Sequence, residues 1–73
     1  MRLRDLREDR DLSKRAVAEL LHIRQNTYSQ YETGHRQIPI ALLIELSAFY
    51  GTSVDYLLGL TNEIKPYPRS SER

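Results

Sequence analysis

Seventy-three residues make one small domain, near the lower size limit for a chain that folds without staples. There is no cysteine, which excludes disulfides and thiolate metal sites and leaves a compact, well-patterned helical core, with dimerisation as an optional aid, as the expected source of stability. The formal net charge of +1 is too small to point by itself to a polyanionic partner.

Residues 2–10 are highly charged, with Leu3, Leu6 and then Leu12 spaced to enter a core, which predicts a helix ending near Arg10. Met1 is followed by Arg, Leu, Arg and Asp, so no secretory signal is read there. Ser13 is placed to cap a second helix running to about Leu21, with Val17, Ala18, Leu20 and Leu21 facing inward. His22-Ile23-Arg24 forms a tight turn. A third helix follows from about Gln25 to Thr33, closed by Gly34, a residue able to take positive φ. After a loop over His35 to Ile38, Pro39 is expected at the first helical position of a fourth helix covering roughly Ile40 to Tyr50. Its apolar stripe is Leu42, Leu43, Leu46, Phe49 and Tyr50, with Gly51 as its stop. Ser53 caps a last short helix, Val54 to Leu58, ended by Gly59.

Strand signals are absent: no period-two alternation occurs, and no Asn-Gly or Asp-Gly turn. The expectation is an all-α fold, a compact five-helix bundle over residues 1–60. Beyond Thr61 the composition shifts to Pro, Ser, Lys, Arg and Glu, with Pro66 and Pro68, which predicts a flexible tail over 61–73. The longest apolar run, Ile38 to Ile44, contains a proline and is far shorter than the ~20 residues of a membrane helix. A cytoplasmic protein with no membrane partner is expected.

The charge is unevenly distributed. Residues 1–36 hold eight Lys/Arg against six Asp/Glu, and residues 37–73 hold three against four. No acid occurs between Glu19 and Glu32. At about 100° per residue, Gln25, Asn26, Ser29, Gln30 and Thr33 all fall on one face of the third helix, and Tyr28 and Tyr31 fall on the opposite side. A helix exposed only to solvent would ordinarily carry Lys and Glu; this one presents amides and hydroxyls. Gln and Asn can pair bidentately with the major-groove edge of adenine, and hydroxyls can meet bases or phosphates. The face therefore suits insertion into the major groove of duplex DNA.

The segment from Ser13 to Gly34, followed by Ile38-Pro39 and SVDYLLG at 53–59, resembles the lambda-repressor-like, Cro/CI-type (XRE) helix-turn-helix family over about residues 3–60. Ala18 on the second helix, Ile23 in the turn, Glu32 and Gly34 at the end of the third helix, and the closing DYLLG carry the resemblance. No one of these is specific; together they are strong. In this family the second helix crosses the DNA backbone and the N-terminal part of the third reads base edges. The resemblance implies Gln25, Asn26 and Gln30 as base readers, with Ser29 a weaker candidate. Lys14 stands where relatives often hold a phosphate with glutamine, and a lysine there keeps the role as a point charge. Arg24 stands where a small N-cap is usual, so its guanidinium is expected on a phosphate beside the helix N-terminus. Thr33, His35 and Arg36, at and after the end of the recognition helix, complete the phosphate-contacting set. Arg7 and Glu32 occupy the positions of a structural ion pair. His22 departs from the glycine usual in the turn, and would carry some strain if that turn needs positive φ.

Other chemistry is thin. His22 and His35 have no cysteine or spaced ligand beside them, so neither a metal site nor a cofactor is expected. No serine or threonine has a positioned base, and there is no glycine-rich phosphate loop, so no catalytic residue is assigned and the chain is not expected to be an enzyme. Phe49, Tyr50, Tyr56 and Leu60 are candidates for a homodimer contact, with core filling as their alternative use. The expected function is sequence-specific regulation of transcription, most simply repression by a homodimer on a palindromic operator in double-stranded DNA. The alternative is an antitoxin or adaptor that binds a protein partner, a toxin or another regulator. Binding to RNA is disfavoured because no aromatic platform alternates with basic residues.

Overall fold

A computed structural model describes residues 1–65, and the part of the expected tail at 66–73 lies outside the described residues. The described chain is all-helical: α1 (Leu3–Asp9), α2 (Lys14–Leu20), α3 (Gln25–Thr33), α4 (Ile40–Tyr50) and α5 (Val54–Leu58). These are the five helices read from the sequence, with ends shifted by a residue or so.

Local chemistry accounts for the boundaries. Ser13 and Ser53 have extended backbones, and each side chain accepts the backbone N–H three residues on, from Ala16 and Tyr56, both at 3.0 Å. Four of the five C-terminal ends share one device, a left-handed residue followed by an N–H that reaches back to a carbonyl five residues earlier; after the left-handed Gly34 of α3 it is Arg36 N–H that reaches Gln30 O, at 3.3 Å. In α1 and α2 the left-handed residues are Asp11 (φ 54°) and His22 (φ 59°), with Leu12 N–H donating to Arg7 O and Ile23 N–H to Ala18 O, both at 3.0 Å. Thr52 and Leu60 do the same after α4 and α5, there with glycine in the left-handed position. The turn after α2 thus does require positive φ, and histidine supplies it in place of glycine. Asp11 plays the same part after α1, a role its sequence position did not announce.

Two local expectations are corrected. Pro39 is the N-cap of α4 and not its first helical residue: ψ is 147°, and its carbonyl accepts the N–H of Leu42 and of Leu43. The ring-fixed φ of about −62° serves a cap as well as a first turn, and the extended ψ keeps the proline outside. Leu20 is 43% exposed, because α2 turns Val17, Ala18 and, through its cap, Leu21 inward and leaves Leu20 on the far side.

The core joins all five helices: Leu3 and Leu6; Val17, Ala18 and Leu21; Tyr28 and Tyr31; Ile38; Leu43, Leu46 and Tyr50; and Leu57. Each fully buried Leu or Val contributes about 1.5–3 kcal/mol, so the interior must be nearly complete for so short a chain to fold. Leu12, Ile23, Leu42, Val54 and Tyr56 pack against its edge.

The start of the chain is clasped to α5 and to the residues just after it. Arg2 N–H donates to Leu57 O at 2.8 Å, and its guanidinium donates to Tyr56 O, Thr61 O and Asn62 Oδ1 while lying 4.3 Å above the Tyr56 ring. Thr52 Oγ1, itself buried, donates to Ile64 O. Residues 61–64 are therefore tied to the bundle at three of four positions. Arg10 makes a second clasp, donating to Tyr50 O at the end of α4 and lying against the rings of Phe49 and Tyr50.

Candidate nucleic-acid interface

Helices α2 and α3 pack closely, joined by the turn at His22, and this pairing decides what α3 shows outside. Tyr28 is wholly buried and Tyr31 nearly so, which rotates Gln25, Asn26 and Gln30 out to solvent with Ser29 half-buried beside them. With Lys14 of α2 these four line one open recess. Lys14 Nζ donates to Ser29 Oγ at 3.4 Å, a long bond, across the crease between the helices. The four residues read as base contacts thus share one surface, and Lys14 reaches into it.

The N-terminus of α3 is open. Arg24 is its N-cap, with extended backbone and no side-chain hydrogen bond to the first turn. The first N–H groups of α3 and the positive end of its dipole are left available to an anion, with the exposed Arg24 guanidinium beside them. At the other end Gly34 takes φ 83°, where a side chain would be strained. Thr33 Oγ1 donates to Gln30 O at 3.3 Å and lies 2.8 Å from His35 Nδ1, so this hydroxyl is engaged within the helix end. His35 and Arg36 are exposed beyond it.

The ion pair read from the sequence ties α1 to the end of α3. Arg7 Nε donates to Glu32 Oε2 at 2.6 Å and Nη2 to Oε1 at 3.3 Å, while Nη1 donates to Leu12 O at 2.8 Å. Both side chains are nearly inaccessible, at 10% and 3% exposure. Burial alone would raise the Glu32 carboxyl, but the Arg7 hydrogen bond and charge outweigh it and hold it below its ordinary value. The same bond raises Arg7. The Tyr28 hydroxyl lies near this carboxylate but outside hydrogen-bond geometry, and the Tyr50 hydroxyl is also buried without a partner among the described residues. Burial pushes both phenols above their ordinary range, keeping them neutral.

The four candidates for a dimer contact separate. Tyr50 is 4% exposed and belongs to the core, because α4 turns it inward with Leu43 and Leu46. Tyr56 is half-buried under Arg2. Phe49 at 38% and Leu60 at 73% are on the surface. The sequence reading missed Ile40 and Ile44, which are 63% and 56% exposed one turn apart on the outer side of α4. Their i, i+4 spacing opposite the Leu43–Leu46–Tyr50 stripe was the available signal.

Among the described residues no helix is long and apolar enough to cross a membrane, and no three His, Asp or Glu side chains gather as metal ligands. Two short helices meeting at a left-handed turn, the second with an exposed amide face, define a helix-turn-helix domain. The family model described as "Helix-turn-helix" matches residues 3–57, and the chain belongs to that family, in its lambda-repressor-like (XRE) branch. It is similar to the uncharacterized HTH-type transcriptional regulator YobD of Bacillus subtilis, 38% identical over 65 residues, which are 89% of this chain and 58% of that protein. The HTH-type transcriptional regulator AnsR of the same organism is 34% identical over 71 residues, 97% of this chain and 61% of AnsR. The cryptic phage CTXphi transcriptional repressor RstR of Vibrio cholerae is 35% identical over 57 residues, 78% of this chain and 51% of RstR. This chain therefore spans less than two thirds of these curated relatives. No solved structure matches it.

Proposed function

We propose that this protein is a sequence-specific DNA-binding regulator of transcription, acting in the cytoplasm as a repressor that occludes a promoter. The observation that carries the reading is the recess formed by Lys14, Gln25, Asn26, Ser29 and Gln30, a polar, acid-free surface on a helix whose other side is locked into the core. In this reading Gln25, Asn26 and Gln30 contact base edges, and Ser29 lies among them. Arg24 and the open N-terminus of α3 hold one phosphate, and His35 and Arg36, with Thr33 shaping that end, hold another. Two copies would set their α3 helices in successive major grooves about 34 Å apart on a palindromic site. The transcriptional regulators and the repressor among its relatives support the same reading. With a net charge of +1, affinity for non-specific DNA should be modest and its salt dependence shallow.

The test is selection of duplexes from a random pool by the full chain, against a Gln25→Ala/Gln30→Ala variant at the same salt. A palindromic site enriched by the wild type and lost by the variant is expected. If neither protein enriches a sequence and both retain DNA only weakly and salt-sensitively, the reading is wrong. A protein-binding role would then be examined, as an antitoxin or adaptor using the exposed Ile40, Ile44, Phe49 and Leu60.

A further inference from the structure

Lys14 opens α2, but its side chain does not simply run out into solvent. It is half-buried, and its ammonium is drawn across the helix–helix crease to Ser29 on α3. There it lines the same recess as Gln25, Asn26 and Gln30. The position decides what it can meet. Phosphates run along the two walls of a major groove and flank a recognition helix, while the space in front of that helix is occupied by base edges. A cation meant for a phosphate belongs at the rim, as the exposed Arg24, His35 and Arg36 are. Lys14 sits among the amides instead.

Its bonding is incomplete in a way that suits that position. An ammonium carries three N–H donors, and the bond to Ser29 occupies one. No carboxylate lies within salt-bridge distance of it among the described residues, where ion pairs form at Arg4–Glu8, Arg7–Glu32 and Arg15–Glu19. Two donors are thus free to face the groove. Of the four bases, only guanine offers two adjacent acceptors there, O6 and N7, whereas adenine pairs an acceptor with a donor that would repel an ammonium.

We propose that Lys14 reads a guanine in each half-site, adding a G·C requirement to a surface whose amides suit A·T pairs. Ser29, in turn, positions the Lys14 ammonium through its hydroxyl oxygen. This rests on the DNA-reading role of the recess, which the wild-type selection tests by itself.

The experiment repeats the duplex selection with full-length Lys14→Gln and Lys14→Arg proteins at the same salt. Each is checked for wild-type helix content and then titrated on the wild-type site and on the same site with the guanine replaced by adenine. The expected result is a wild-type consensus containing a guanine whose preference disappears with Lys14→Gln and persists with Lys14→Arg, every other position being kept. Replacing the guanine should weaken wild-type binding about tenfold and that of Lys14→Gln less than about twofold. An unchanged consensus with Lys14→Gln, bound uniformly more weakly and with a salt slope shallower by about one, would make Lys14 a phosphate contact and overturn the proposal. A wild-type consensus without guanine overturns it too. Absence of any wild-type consensus removes the underlying reading, and is told apart because no variant is needed to see it.

Discussion

Helices α3 and α4 each rest one side on the core, and they differ in what they leave outside. α3 buries Tyr28 and Tyr31 and exposes Gln25, Asn26 and Gln30; α4 buries Leu43, Leu46 and Tyr50 and exposes Ile40 and Ile44. The inner faces do similar work, since both remove large apolar side chains from water. The outer faces do not. Amides are well solvated and gain only where a fixed array of donors and acceptors meets them, as a groove floor does. Exposed isoleucines are stabilised when anything apolar covers them, at roughly 25 cal/mol per Å². One small domain thus carries a surface suited to nucleic acid and another suited to protein, and α4 is the better candidate for contact between two copies.

The largest expected effect comes from the ion pair that ties α1 to α3. Arg7→Ala leaves the Glu32 carboxylate buried without its partner, and should destabilise the domain by about 3 kcal/mol in urea unfolding, with DNA binding lost in parallel. Unchanged stability would mean that the pair does not hold α3. The same pair sets an acid limit. The Glu32 carboxyl is lowered in the folded state, so its contribution is fully present above the ordinary carboxyl value of 4.5 and is lost as pH falls through the folded value. Thermal midpoints should therefore drop below about pH 4.5 in the wild type, and the drop should be shallower in Glu32→Gln.

A smaller and more selective change addresses α4. Ile44→Glu places a charge on a side chain already 56% exposed, so unfolding should move by no more than about 0.5 kcal/mol. If α4 joins two copies, sedimentation should show a shift toward monomer and binding to a palindromic duplex should weaken at least about tenfold. Equal sedimentation and equal binding would remove α4 from the contact. The mildest change lies between the two helices of the motif. His22→Gly should relieve the left-handed backbone and raise stability by about 0.5 kcal/mol, a few degrees in thermal midpoint, without altering DNA preference.

Much of the recess was legible in the sequence, because a helix converts spacing into direction. Once Tyr28 and Tyr31 are taken as the buried side of α3, Gln25, Asn26, Ser29 and Gln30 have to point the other way. Lys14 was legible as a cation near DNA, but not as a neighbour of Ser29, since that contact spans fifteen residues and depends on how closely α2 approaches α3. Arg7–Glu32 was reached only through family resemblance. Nothing local joins residues twenty-five apart.

Sequence alone located the five helices to within a residue or so, because serine caps, glycine stops and apolar spacing act within one or two turns of the chain. The same short reach explains its errors. Apolarity marks a side chain as able to be buried but does not choose which of several will be. α4 is apolar nearly all round, and only the docking of the other helices selected Tyr50 for the interior and left Ile40 and Ile44 outside. The clasps belong to the same class: Arg2 finds its carbonyls more than fifty residues away, and Arg10 finds Tyr50 O forty residues away. Tertiary packing decided these matters because burial is a property of the whole assembled surface, and no segment of the chain carries it by itself.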